Sequence, residues 1–306
     1  MSKFSASDAA FVGFRLVREH PRTVAVWAVA MTVLSLAVSA LTIKLAGPQL
    51  AEFMAMNAQS NPSPEALLEM MGRLAPMMLF SLVYSLALYS VMLAALNRMI
   101  LRPADGRNAF LRLGADEGRQ ALMLVLVNLL MLGVYICGVL VSAVLLAVGV
   151  AVGGPVAGLL GLVGFVGLAC LMIYIAVRLS FASAITFDTG KVSVVGSWAM
   201  TKGHVGALLG AYLLAAVMAV IVYLLVMTII AAVGAIVSGG ISGLSGLFEP
   251  DMSSLEAFFT PVGLVRAAFA GLVSVLTTLI LFSPAPTIYR MLKADGVPEP
   301  VADAGV

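Results

Sequence analysis

Long apolar runs alternate with short polar segments along this chain, and the length of the runs decides the architecture. A helix needs about 20 apolar residues to cross roughly 30 Å of hydrocarbon, and irregular backbone exposed there would strand N–H and C=O groups without partners. Thr23 to Ile43 and Pro76 to Leu96 each satisfy that length without a charge. Ala121 to Val177 holds 57 residues with no Asp, Glu, Lys or Arg, too many for one crossing. Gly153-Gly154-Pro155 interrupts it, so it reads as two helices, 121–148 and 155–177, joined by a tight turn. Another charge-free run, from Val205 to Phe248, reads as helical to about Ile236 and then as a Gly/Ser segment, 238–248, that is either a surface loop or re-entrant. Val262 to Ser283 forms the last span, stopped by the Ser-Pro-Ala-Pro at Ser283 to Pro286. The pattern predicts an all-α, polytopic membrane protein with six transmembrane helices in a single domain covering 1–306.

Composition agrees, with 62% hydrophobic and 10% charged residues. Charge placement adds orientation. Lys and Arg flanking spans accumulate on the cytoplasmic side. With an inside N-terminus that side collects Lys3, Arg15, Arg18, Arg22, Arg98, Arg102, Arg107, Arg112, Arg119, Arg178, Lys191, Lys202, Arg290 and Lys293, which is 14 of the 17 cations. Lys44, Arg73 and Arg266 fall outside, near helix ends where long side chains snorkel to the headgroups. Both termini are therefore expected in the cytoplasm of a bacterium, with the chain in its inner membrane. Ala37 to Ala40 (AVSA) looks like a signal-peptide cleavage site, but the apolar run that contains it, Thr23 to Ile43, is 21 residues long and exceeds the roughly 7–15 of a signal peptide's apolar region.

The polar segments carry a second pattern. At about 100° per residue, Val194, Val195, Trp198 and Ala199 share one helical face, and Ser193, Ser197 and Thr201 the other, which predicts a short helix lying in the interface. Ala109, Phe110, Leu113 and Gly114 hold the same positions before the third span, opposite Asn108, Arg112 and Asp116; Ala10, Phe11 and Phe14 match three of them before the first. His20, Arg119 and His204 each follow the large apolar anchor by six residues. The simplest reading is three repeats of an interfacial helix plus a transmembrane hairpin, starting near residues 9, 108 and 193.

Arg178-Leu179-Ser180, Asp188-Thr189-Gly190 and Gly196-Ser-Trp-Ala-Met-Thr-Lys-Gly203 together resemble a pattern in bacterial membrane proteins related to the glycerophosphodiester phosphodiesterase membrane domain. The motif covers about 27 residues, Arg178 to His204; the six-span architecture covers nearly all of the chain. In that family a soluble phosphodiesterase barrel is attached in some members. No such barrel is expected in the short segment after the last span here, so the resemblance implies architecture and membrane location without enzyme activity.

The motif picks out Ser197, Trp198, Thr201 and Lys202, which with Arg178 and His204 form the candidate contact for a lipid headgroup or a partner. The plainer reading, in which Trp198 anchors the helix and the hydroxyls face water, is preferred. Arg178 is a candidate ion-pair partner of Asp188, although a plain positive-inside role is commoner. Catalytic and metal patterns are absent: there are two histidines, His20 and His204, and no HExxH, CxxC, GxSxG or GxxxxGK[ST]. No enzyme activity and no cofactor are expected, and nucleic acid is not an expected partner. Ion-coupled transport lacks its usual carboxylate, His or Arg at membrane depth in the third, fourth and fifth spans. Asn128 is expected to bond between helices, and Gly158, Gly161, Gly164 and Gly167 to let a neighbouring backbone approach the fourth span. Cys137 and Cys170 differ too much in depth to form a disulfide.

On the outer side, Ser63-Pro64 starts a surface helix with Leu67, Leu68, Met71 and Leu74 on its apolar face, and Ser253 with Glu256 forms a capping box. The methionines at 54, 56, 70, 71, 77 and 78 read as adaptable packing rather than copper ligands. The leading functional expectation is a non-catalytic membrane component associating with lipids or other membrane proteins; the alternative is a permease for a small apolar or lipid-like molecule.

Overall fold

The computed structural model describes residues 5–57, 63–237, 252 and 254–295, and no strand occurs among them. Six of its helices are long and apolar enough to cross a membrane, which makes this a multipass membrane protein. They run Pro21–Asn57, Pro64–Leu101, Ala115–Val152, Val156–Arg178, Val205–Val237 and Pro261–Phe282.

The first two spans are longer than the apolar runs that predict them. The charge-free runs 23–43 and 76–96 marked only their apolar middles, and Pro48 and Pro76 both lie inside continuous helices of 37 and 38 residues. Gln-Leu-Ala-Glu after Pro48 and Glu-Ala-Leu-Leu-Glu before Pro76 are strong helix formers, and they extend each helix past the proline. Ser63 does start a helix, its Oγ accepting from the Ala66 N–H at 3.2 Å. That helix is the second span itself and no separate surface element. Ser254 performs the capping before Leu255–Phe258, its Oγ accepting from Ala257 N–H at 3.1 Å. Ser253 and the Gly/Ser segment 238–248 lie outside the described residues.

The chain divides into two compact units. One comprises Gly13–Ser85 and Ala215–Leu281. In it the first and sixth spans meet backbone to backbone at Gly271, where a Cβ would lie 2.9 Å from the Ala28 carbonyl oxygen. Gly13 approaches the sixth span in the same way, 2.7 Å from Ile280 Cα. Val226 and Ile230 of the fifth span pack with Val262, Phe269 and Val273. Arg73 pairs with Glu69 at 2.7 Å and with Glu52 at 3.6 Å.

The other unit comprises Met1–Val12, Leu86–Leu214 and Phe282–Val306. Its core gathers at one end. Phe181, Ala184 and Ile185 from the helix Ala182–Thr189 pack with Leu208 and Ala211 of the fifth span and with Ile288, Tyr289 and Leu292 of the helix Pro284–Ala294. The third and fourth spans pair with each other as a hairpin. Gly149, at the tight end, brings the two backbones together, since a Cβ there would stand 2.7 Å from Ala157 Cα.

The three expected repeats do not share one form. Near residue 9 there are two helices, Ala6–Ala10 and Val12–Glu19; near 193 there is a six-residue helix, Val195–Met200. Around 108 the expected amphipathic helix is replaced by a left-handed turn, with φ of 52°, 54° and 65° at Asn108, Ala109 and Phe110. Phe110 is buried there and Leu113 is 87% exposed, so they do not form a common face.

Candidate functional site

Two groups of side chains in the second unit carry its chemistry. The first follows from the break between the fourth span and the helix Ala182–Thr189. When a helix stops, N–H groups of the next one lose their partners. Ser197 supplies one of them: its Oγ accepts from the Phe181 N–H at 3.0 Å and donates to the Arg178 carbonyl at 2.7 Å. Thr201 Oγ1 donates to Ser197 O at 2.8 Å, and Ser193 N–H donates to Thr186 Oγ1 at 3.2 Å. Ser193, Ser197 and Thr201 are buried. The expectation that these hydroxyls face water is therefore reversed: they tie the Val195–Met200 helix to the end of the fourth span, while Val195 and Trp198 point outward at 64% and 39% exposure.

Of the six predicted contact residues, Ser197 and Thr201 are consumed by this internal bonding. Arg178 and Trp198 come together, the guanidinium carbon 4.4 Å above the indole, which in turn meets Tyr174 edge-on at 6.0 Å. Lys202 is exposed, and His204 Nδ1 lies 3.2 Å from the Lys202 carbonyl. Arg178 does not pair with Asp188, which instead accepts from Lys293 Nζ and Tyr289 OH, both at 2.7 Å. Arg178, at the end of the fourth span, is only 5% exposed.

The second group was not anticipated. Arg98, 2% exposed near the end of the second span, donates to Glu117 Oε1 at 2.8 Å and to the Phe110 carbonyl at 2.6 Å. Glu117 is itself buried. Asp116 stands 3.4 Å from Arg98 and also holds Arg119. Phe187 is covered by Arg98 and Arg102, at 5.5 and 4.7 Å from the ring centre. Beside it, Ser183 Oγ accepts from Asn97 Nδ2 and donates to Gln120 Oε1, each at 2.8 Å. Every charge in this cluster has a partner, so it locks the second span, the left-handed turn and the third span together. Asn97-Arg98 within LAALNRMIL was its signal in the sequence: a polar pair with apolar residues on both sides, whose arginine must find an anion.

The hairpin supplies the concave surface. A groove of about 750 Å³ lies between the third and fourth spans, with Gly133, Cys137, Val141, Gly167, Leu171 and Ile175 among its walls. The glycines have two roles. Gly138 and Gly164 permit close helix contact, the latter with Ser142 Cβ 3.0 Å from a built Cβ. At Gly133, Gly158 and Gly167 nothing lies within 4 Å, so the expected close backbone approach does not occur at Gly158 or Gly167. Asn128 is exposed and donates to Leu124 O of its own helix at 2.7 Å, not to another helix. Both cysteines are free and exposed on this hairpin. Among the described residues no three His, Cys, Asp or Glu side chains gather closely enough to share a metal ion.

No family model, curated protein or solved structure matches the chain, so residues and geometry alone carry the functional argument.

Proposed function

We propose that this protein is a non-catalytic component of a bacterial inner membrane, with both termini in the cytoplasm, that associates with lipids or other membrane proteins through its third and fourth spans. One observation carries this reading. In the most apolar stretch of the third span no residue is buried, and in that of the fourth only 6% are, against 33% in the second and sixth. A hairpin with so few buried residues presents most of its surface to whatever surrounds it. It also carries a groove, where simple lipid contact needs only a smooth face. The 14 cations on the inward segments support the orientation. The resemblance to the phosphodiesterase-associated membrane domain belongs to the same proposal and contributes architecture only.

Mass spectrometry of the protein released from membranes in mild detergent tests the reading. A lipid or polypeptide held in fixed ratio is the expected result, and a chain that leaves the membrane bare of both would overturn it. The rival, a permease for a small apolar or lipid-like molecule, draws on the charge-free groove; protein-dependent movement of a fluorescent lipid analogue across reconstituted vesicles would favour it.

A further inference from the structure

We infer that the groove between the third and fourth spans, together with Arg178, is a binding site for one anionic glycerophospholipid, with an acyl chain in the groove and the phosphodiester on the guanidinium. This rests on the lipid branch of the proposed function and gives it a ligand class and a place. Gly164, Gly167, Leu171, Ile175 and Arg178 follow one another at intervals of three or four residues, so they lie along one face of the fourth span. Leu171 and Ile175 line the groove, and Arg178 sits one helical turn beyond its end. An apolar slot thus leads along a single helix face to a cation.

That cation lacks an anion. The ion pairs among the described residues do not include Arg178. Its Nε is buried with no acceptor in the chain, and the Trp198 ring over the guanidinium offers a π face but no lone pair. Compare Arg98, equally buried, whose guanidinium is met by Glu117 and the Phe110 carbonyl. A planar guanidinium left with unused donors matches the oxygens of a phosphate. Lys202, exposed just after the Trp198 helix, gives the same segment a second cation.

Charge favours a lipid over a partner helix. The 750 Å³ groove falls within the roughly 300–1,000 Å³ of ligand pockets. An apolar partner helix would leave Arg178 without an anion. A phospholipid brings the chain and the charge in one molecule.

The test uses native mass spectrometry on the full chain equilibrated with mixed micelles of equal phosphatidylglycerol and phosphatidylethanolamine. Wild type is expected to retain phosphatidylglycerol in preference. Arg178→Gln should lose that preference by roughly fivefold, the equivalent of one cation beside an anionic surface. Gly167→Leu fills the groove at a position where a Cβ meets nothing, and should retain neither lipid. Gly158→Leu, equally open but outside the groove, should behave as wild type. If Arg178→Gln fails to fold, Arg178→Lys, which keeps the charge and loses the fork, is expected to show a reduced preference, and the Gly167 and Gly158 pair carries the rest. Unchanged lipid retention in Gly167→Leu, or unchanged preference in Arg178→Gln, would overturn the site while leaving lipid association intact. A polypeptide, not a lipid, displaced by Gly167→Leu would overturn the site and favour the partner branch. Wild type bare of lipid and polypeptide alike would overturn both this inference and the proposed function.

Discussion

Replacing Arg98 with methionine isolates the contribution of the buried charge cluster. Arg98→Met keeps most of the side-chain volume but leaves Glu117, 5% exposed, with its charge uncompensated, and leaves the Phe110 carbonyl without its 2.6 Å donor. Breaking a buried ion pair from one side costs about 3–5 kcal/mol, and a stranded carbonyl about 1–3. The two overlap because a single relaxation serves both, so the expected loss is about 4 kcal/mol. Removing the second charge as well, in Arg98→Met with Glu117→Leu, should return all but about 1–2 kcal/mol, because the desolvation of both ions then disappears from the folded state. Unfolding in mixed dodecylmaltoside–SDS micelles, followed by tryptophan fluorescence, gives the three stabilities. A double variant as unstable as Arg98→Met alone would refute the argument, since the loss would then come from packing or from the left-handed turn and not from the orphaned carboxylate.

Ser197→Ala should cost about 1–3 kcal/mol in the same assay, because it strands the buried Phe181 N–H and removes a donor to Arg178 O; a surface-like loss below about 0.5 kcal/mol would contradict its buried bridging role. Gly271→Leu should destabilise by about 1–3 kcal/mol or more, since its Cβ meets the Ala28 backbone, whereas Gly133→Ala, with nothing within 4 Å, should be neutral or gain up to about 1 kcal/mol of helix propensity. In a background with Cys137 and Cys170 replaced by alanine, Ser60→Cys should react with an impermeant maleimide in intact cells and Lys191→Cys only after permeabilisation; labelling of position 191 in intact cells would invert the assigned topology.

Span number and turn positions were legible because they depend on run length and on Gly153-Gly154-Pro155, signals local to the chain. The ends of the first two helices were not, because the charge-free run marks only the apolar middle of each, while polar helix formers carry both helices on past Lys44 and Arg73 and through Pro48 and Pro76. Face assignment failed at Val195–Met200 for a related reason. Helical periodicity correctly separated Ser197 and Thr201 from Trp198, but which face turns inward depends on the end of the fourth span, whose unpaired backbone groups draw the hydroxyls in. In a membrane the outward face is itself apolar, so the usual rule relating hydrophobicity to burial no longer chooses. Arg178 and Arg98 looked alike as positive-inside charges. Only the fold reveals that Arg98 meets Glu117, 19 residues along the chain, and that Arg178 has an indole and no carboxylate among the described residues.

The proposed association rests on the exposed hairpin, and Cys137, which lines the groove, allows it to be probed directly. Benzophenone maleimide attached to Cys137, with Cys170 replaced by alanine, is photolysed in native membranes and the adducts are identified by mass spectrometry. Adducts to phospholipid or to a second polypeptide are expected. Crosslinks confined to other spans of the same chain would show that the third and fourth spans are buried within the protein, and would contradict it.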